Sequence, residues 1–473
     1  MNVTVTRPIH RLFLIDQAAV RLLIVLLTLS VVCPLAVSGQ TAGDRPENVV
    51  FIVADGMSVV GMTLARDYLR ATELESTGLA LDPHLSGTVQ TFAADSRITD
   101  SAASATAYAS GVKTYNGAIG MNVDRQPVST LLERAEQQGA LTALVSTARI
   151  THATPAAFSA HVISRNLEQD IADQQIAQGI EILLGGGRQF YVGPVDGGIR
   201  TDSSNIMQGK GYHVVENRAE MLSQQELPVI GLFSLSHMAY EMDRAGTNEP
   251  SLAEMTSWAL DRLAAQDRPF FIMIEAGRVD HAGHANDAPA FLHEMLAFDR
   301  AVEAALDFAR HDGRTLVVIT ADHETGGLTL GGEHEGSGSG YRYDPTGLAS
   351  ARSSIEDFER RLVEAMADRP GLRDWIASTL MSDYDLALSE PEQFELQRAM
   401  VTNNDARLRS FLRTTLQDRL ARRASVHWST SGHTAVDVPL FAFGPGADRF
   451  TGSMDNTQVG QLLAEMMGAP APE

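Results

Sequence analysis

Apolar positions in this chain fall into short continuous runs, separated by longer stretches with helical spacing. The runs predict strands at 48–54, 141–146, 180–184, 270–274, 316–320 and 438–444. Their continuity is that of strands buried on both faces of a sheet. Between them the periodicity predicts helices over 62–73, 102–109, 129–138, 249–265, 290–309 and 456–467, with residues three and four apart on one face. Strands alternating with amphipathic helices predict an α/β fold: a three-layer α/β/α sandwich with a central, mostly parallel mixed sheet. The rhythm breaks between 331 and 423. That segment opens with the loop-like GGEHEGSGSGYRYDPTG and continues as helices over 354–366, 372–381 and, with breaks, 390–420. It reads as a helical and loop insertion, or a lid, beside the site.

At 473 residues the chain can bury a large core, and one enlarged α/β domain accommodates it as well as two or three average ones. A formal net charge of -22 argues against a nucleic-acid-binding function or adhesion to anionic membranes. It leaves anionic substrates open, because metals and a local arginine reverse the field inside a cleft. Lysine occurs only at Lys113 and Lys210.

The N-terminus changes the picture of where the protein works. Arg7, Arg11 and Arg21 precede an apolar run over 22–32, and the small residues of PLAVSGQTAGD follow. That is the order of a secretory signal peptide, assigned to 1–39 with Val37 and Gly39 before the cut and Gln40 first in the mature chain. The run is shorter than the ~20 residues a membrane span requires, so no stable span is expected after cleavage. Lipidation at Cys33 is disfavoured by the bulky Val31 and Val32 before it. The catalytic domain is then 40–473, without cysteine, and the location periplasmic or extracellular.

Acidic and histidine residues end the predicted strands: Asp55 in FIVADG, Glu275, Asp280 and His284 in FFIMIEAGRVDHAGH, and Asp322 with His323 in TLVVITADHETGG. Ligands of α/β sheets bind at strand ends, and these side chains are oxygen and nitrogen metal donors. Ser101, in TDSAASATAYASG, adds a hydroxyl nucleophile at a predicted helix start. Together they point to metal-assisted hydrolysis.

The chain closely resembles the alkaline phosphatase family. The motifs are VADGM at 53–57, TDSAASATAYASGVKTYNGAIG at 99–120, STARITHATPAAFSAHVISR at 146–165, EAGRVDHAGHAND at 275–287, ITADHETGG at 319–327 and SGHTAVDVP at 431–439. The resemblance implies a metal-dependent phosphomonoester hydrolase working at alkaline pH, with Ser101 phosphorylated and then released by water. Asp55, Asp322 and His323 match the ligands of the zinc that activates the serine. Asp280, His284 and His433 match those of a second zinc beside the leaving oxygen. Two such ions would stand about 4 Å apart. Asp55, Thr154 and Glu275 match a third site, of hard oxygen donors suited to magnesium. Cobalt is open as a substitute, since supply and geometry set occupancy too.

Arg165 matches the family's phosphate clamp, its planar fork suited to two phosphoryl oxygens. His152 and His281 stand where some bacterial members carry aspartate and lysine, and are read as touching substrate or supporting the ligands. Histidines there imply looser phosphate binding, faster turnover and weaker magnesium retention than a lysine would give. His161, His237, His293 and His427 receive no metal role. For Glu333, His334 and Glu335 a solvated charge cluster is favoured over a peripheral ion. The family also implies small phosphate monoesters as substrates and a homodimer. A phosphodiesterase or sulfatase of the same superfamily is the competing function, though the sulfatase cysteine signature is missing.

Overall fold

The computed structural model describes residues 45–72, 78–191, 209–332, 341–402 and 404–469, together with Met1 and Met207. The signal-peptide assignment and the 333–335 cluster lie outside the described residues. Arg45–Glu473 forms one compact unit.

Its strands, in chain order, are β1 (Asn48–Ala54), β2 (Leu85–Gln90), β3 (Leu141–Arg149), β4 (Ile182–Gly186), β5 (His213–Val215), β6 (Val229–Leu232) and β7 (Phe270–Ala276). β8 (Thr315–Thr320), β9 (Glu324–Thr325), β10 (Leu328–Leu330), β11 (Val426–Trp428), β12 (His433–Thr434), β13 (Val438–Phe443) and β14 (Gly452–Asp455) follow. Ten of them form the central sheet, in the order β14-β2-β13-β8-β1-β7-β3-β4-β6-β5. Only β13 runs against its neighbours β2 and β8; the remaining pairings are parallel. The sheet is therefore mixed and mostly parallel.

Every residue of β1, β7 and β8 is buried, which is why these strands read as unbroken apolar runs. Helices Val59–Thr72, Leu252–Ala264 and Ala288–Asp312 pack together on one side. On the other side helices Ser101–Ser110, Leu131–Gln137, Ala153–Ser159 and Asn456–Met467 pack together. This is the α/β/α sandwich.

Register aligns the ends of the central strands. Val53 lies opposite both Glu275 of β7 and Thr320 of β8, and Ser146 of β3 lies opposite Glu275. The residues that follow β1 and β8, Asp55 and Asp322, thus emerge beside the last residues of β7. Helices Ile355–Ala365, Leu372–Tyr384, Glu390–Val401 and Asp405–Ala424 enclose a second apolar cluster, including Phe358, Leu362, Ile376, Leu380 and Leu412.

Candidate metal centre and active site

Helix Ser101–Ser110 is built almost wholly of alanine, serine and threonine, and all its residues are buried. Asp100 caps it, accepting from the Ala103 amide at 2.9 Å, so Ser101 is the first helical residue. Two hydroxyls fasten this helix to the segment after β8. Ser104 Oγ donates to the Asp322 carbonyl at 2.7 Å, and Tyr108 donates to the Ala321 carbonyl at 2.8 Å. That fastening places Ser101 Oγ 3.2 Å from Nε2 of His323.

Three groups of side chains could each hold an ion: Asp55 with Asp322 and His323, Asp280 with His284 and His433, and Asp55 with His152 and Glu275. In each group the candidate donor atoms lie within 4.8 Å of one another. The first is wholly enclosed, with His323 Nε2 3.3 Å from Asp322 Oδ2 and 3.6 Å from Asp55 Oδ1. The second opens outward, its His284 side chain 39% exposed. Asp280 and His284 sit one turn apart on helix Arg278–His284, and His433 arrives through the antiparallel pairing of β12 with β9. The two groups adjoin: the rings of His323 and His433 stack with centroids 3.5 Å apart.

The outer contacts orient each imidazole. His284 donates from Nδ1 to the Ser431 carbonyl at 2.6 Å, and His433 from Nδ1 to the Thr99 carbonyl at 2.9 Å. Nδ1 of His323 meets Thr325 Oγ1 at 3.2 Å, and that hydroxyl donates onward to Asp280 Oδ1. All three Nε2 lone pairs are left facing inward, as metal-ligating histidines require.

Several buried polar atoms have no hydrogen-bond partner: both oxygens of Asp55, Oδ2 of Asp322, Oε1 of Glu275, Oγ1 of Thr154 and Nδ1 of His152. Orphaned polar atoms at this density are costly unless a cation answers them. Burial, reinforced by neighbouring carboxylates, pushes the Asp55 and Asp322 carboxyls up. Burial also holds His323 well below its ordinary value, so it stays a neutral donor. Divalent ions would reverse this cost, and the residues present fit them.

In the third group Thr154 Oγ1 is buried and unpartnered, and a ring nitrogen of His152 groups with Asp55 and Glu275. Its Nδ1 lies 4.0 Å from Glu275 Oε1. The other Glu275 oxygen accepts from Ser146 Oγ. His152 Nε2 meets the Arg165 guanidinium at 3.0 Å, and Arg165 also pairs with Asp100 at 3.1 Å. The structure thus sets Arg165 between the N-cap of the serine helix and the third group. His281 lies behind, its Nδ1 3.0 Å from Arg278, and burial with that arginine pushes it well down.

Sequence reasoning missed three supports. Ser104 and Thr325 lie inside recognised motifs, where their hydrogen bonding could have been anticipated. His237 had no such signal, standing alone in a loop after β6, yet its ring packs edge-on against His281 and His152 at centroid distances of 4.2 and 5.4 Å.

Known proteins carry the same architecture. The alkaline phosphatase family model matches residues 46–469. The repressible alkaline phosphatase of Saccharomyces cerevisiae is 34% identical, over 94% of this chain and 85% of its own length. Alkaline phosphatase 3 of Bacillus subtilis is 34% identical, over 92% and 95%. Among solved structures, the Thermus thermophilus alkaline phosphatase superposes with a TM-score of 0.79 at 30% identity, covering 91% of this chain and 93% of that one. The cold-active enzyme of Shewanella sp. gives 0.78 at 30%, covering 89% and 99%. With metal-donor groups clustered at the ends of β1, β7 and β8, and with these likenesses over nearly its whole length, the chain belongs to the alkaline phosphatase family, as a metal-dependent phosphomonoester hydrolase.

Proposed function

We propose that the chain hydrolyses small phosphate monoesters through a phosphoserine on Ser101, releasing inorganic phosphate and an alcohol at alkaline pH. The observation that carries this reading is the 3.2 Å approach of Ser101 Oγ to His323 Nε2, inside a shell of orphaned carboxylate oxygens. A free serine hydroxyl is a weak nucleophile and needs its proton drawn away by a nearby charge. Two zinc ions, held by Asp55, Asp322 and His323 and by Asp280, His284 and His433, would supply that charge and Lewis acidity at the leaving and attacking oxygens.

The chain's own residues do the rest. Asp100 caps the helix and fixes Ser101 at its start, where helix-end amides favour an anion. Arg165 offers two N–H groups to the phosphoryl oxygens and, in waiting, is steadied by Asp100 and His152. Ser101 Oγ attacks phosphorus and the ester oxygen leaves as the alcohol. Water then displaces Ser101 Oγ from the phosphoserine, and two in-line displacements retain configuration at phosphorus. Thr154, Asp55 and Glu275 would hold magnesium as the third ion. Arg165 can only donate, so His152 Nε2 accepts from it and its Nδ1–H is turned toward Glu275, supporting this group from beside the ion.

The signal-like N-terminus supports export to the periplasm or beyond. Among the described residues no helix is long and apolar enough to cross a membrane. We read 331–423 as an insertion at the rim and the working form as a homodimer, as the family implies. The test is p-nitrophenyl phosphate hydrolysis at alkaline pH by the wild type and Ser101→Ala, before and after chelation and zinc and magnesium restoration. Rapid, chelator-sensitive turnover that Ser101→Ala loses supports the reading. Silence with the monoester but turnover of a bis-ester or sulfate ester overturns it.

A further inference from the structure

His161 belongs to no metal group, yet both of its ring nitrogens face acceptors. Nδ1 lies 2.7 Å from the Gly120 carbonyl and Nε2 lies 2.8 Å from a Glu133 carboxylate oxygen. A neutral imidazole has one N–H, so it can satisfy only one of these; the imidazolium satisfies both. The backbone of His161 is held as well. Its N–H donates to Gln174 Oε1 at 2.7 Å, and its carbonyl accepts from Gln174 Nε2 at 3.3 Å.

The segment that His161 opens ends at Arg165. Residues 160–165 are stitched to the loop 117–120 by the Ile119–Val162 bridge, 3.0 Å in both directions, and by the Arg165 amide donating to Gly117 at 2.8 Å. That loop is joined to the end of the serine helix by residues 111–116. At Gly120 (φ +59°) a Cβ would lie 2.2 Å from the Ala160 carbonyl oxygen and 2.7 Å from His161 Nδ1, so the two segments close only over a glycine. His161 is a titratable link in this seam, with an acceptor facing each ring nitrogen.

We propose that His161 is a positioning residue for Arg165: its imidazolium pins the 160–165 arm to Gly120 and Glu133, and loss of its proton at alkaline pH loosens the arm's hold on phosphate. The inference rests on Arg165 being the phosphate clamp. From helix Leu131–Gln137 the charged group facing His161 is Glu133, whose own charge Arg134 also supports. Helix Glu168–Gln178 presents neutral Gln174, and the 117–120 loop presents a carbonyl.

Burial alone would depress the His161 pKa, but the bonds to Glu133 and Gly120 prevail and raise it. A raised histidine pKa means the clasp is complete below the ordinary value of about 6.5 and is lost as pH rises through the raised one. Phosphate is the product, so the arm would hold it near neutrality and release it more readily where the enzyme works.

The test uses the metal-loaded enzyme and inorganic phosphate as inhibitor, from about pH 6 to about pH 9. His161→Gln is expected to weaken phosphate inhibition about fivefold to tenfold at the acid end, the scale of one net hydrogen bond, and to match wild type at the alkaline end. Glu133→Gln is expected to move the wild-type step to lower pH, in parallel with the His161 pKa read by NMR of histidine-labelled protein. A mutant-to-wild-type ratio constant across pH would overturn the proposal, leaving His161 only structural. So would an NMR pKa at or below the ordinary value. Arg165→Ala separates the two readings: if it leaves phosphate inhibition unchanged, the clamp assignment falls and this inference with it, even where His161 titrates as described.

Discussion

Removing the metals would leave Asp55, Asp322, Asp280 and Glu275 buried together without a counter-cation. Three ion sites, each binding at a thousandfold excess over Kd, stabilise a fold by about 4 kcal/mol apiece, or about 12 kcal/mol together. Unfolding entropy near 2.1 cal/mol/K per residue, over the compact unit Arg45–Glu473, gives about 0.9 kcal/mol/K. Because Asp55 is common to two of the groups, the sites are not additive, and a Tm loss of about 10 °C is expected. The loss has a sign with pH. Burial raises the Asp55 and Asp322 carboxyls, so in the stripped protein they keep protons that the unfolded chain releases above about pH 4. Apo stability therefore falls as pH rises from that ordinary carboxylate range through the raised one. Thermal unfolding of chelated and zinc- and magnesium-restored protein, at about pH 5 and about pH 8, measures this directly. A Tm unaffected by chelation at the higher pH, or a loss equal at both, would refute the reasoning.

Three further outcomes follow from particular contacts. Arg165→Ala removes the fork beside Asp100 and His152, and is expected to raise KM and the phosphate inhibition constant by about tenfold or more, with Tm nearly unchanged; steady-state kinetics checks it. Gly460→Ala would set a Cβ 2.3 Å from the Tyr108 carbonyl, separating the terminal helix from the serine helix, and should cost about 1–3 kcal/mol in denaturant unfolding. Glu294 is wholly buried and burial pushes its carboxyl up to about 8, so it costs stability as pH rises from the ordinary value toward that point. Glu294→Gln should flatten the fall in Tm of the metal-loaded enzyme between about pH 5 and about pH 8.

What the chain discloses in sequence follows burial. β1, β7 and β8 are enclosed on both faces, so their apolar runs mark them, and β1 begins and ends where the pattern places it. β2 and β14, LSGTVQ and GSMD, lie at one edge and are largely exposed, so no apolar run announces them. The pairs β9–β12 and β10–β11 are two or three residues long and exist only through tertiary contact. Helix Ala153–Ser159 was likewise invisible, its ATPAAFS too short for a period to register.

The site was legible because its chemistry clusters at strand ends, where register alone brings Asp55, Glu275 and Asp322 together. The helix Arg278–His284 sets Asp280 and His284 one turn apart. Spacing could not show that His152 turns its Nδ1 toward Glu275 while its Nε2 steadies Arg165. Nor could it bring His237 from a remote loop, since no local pattern encodes that approach.

The most direct measurement is acid-quench mass spectrometry of the metal-loaded enzyme during turnover of a phosphate monoester. One phosphate on the peptide bearing Ser101, formed and lost at rates compatible with kcat and absent from Ser101→Ala and chelated protein, is the expected result. Full monoester turnover with no phosphate ever on Ser101, under conditions that trap it in a related alkaline phosphatase, would contradict the proposed mechanism.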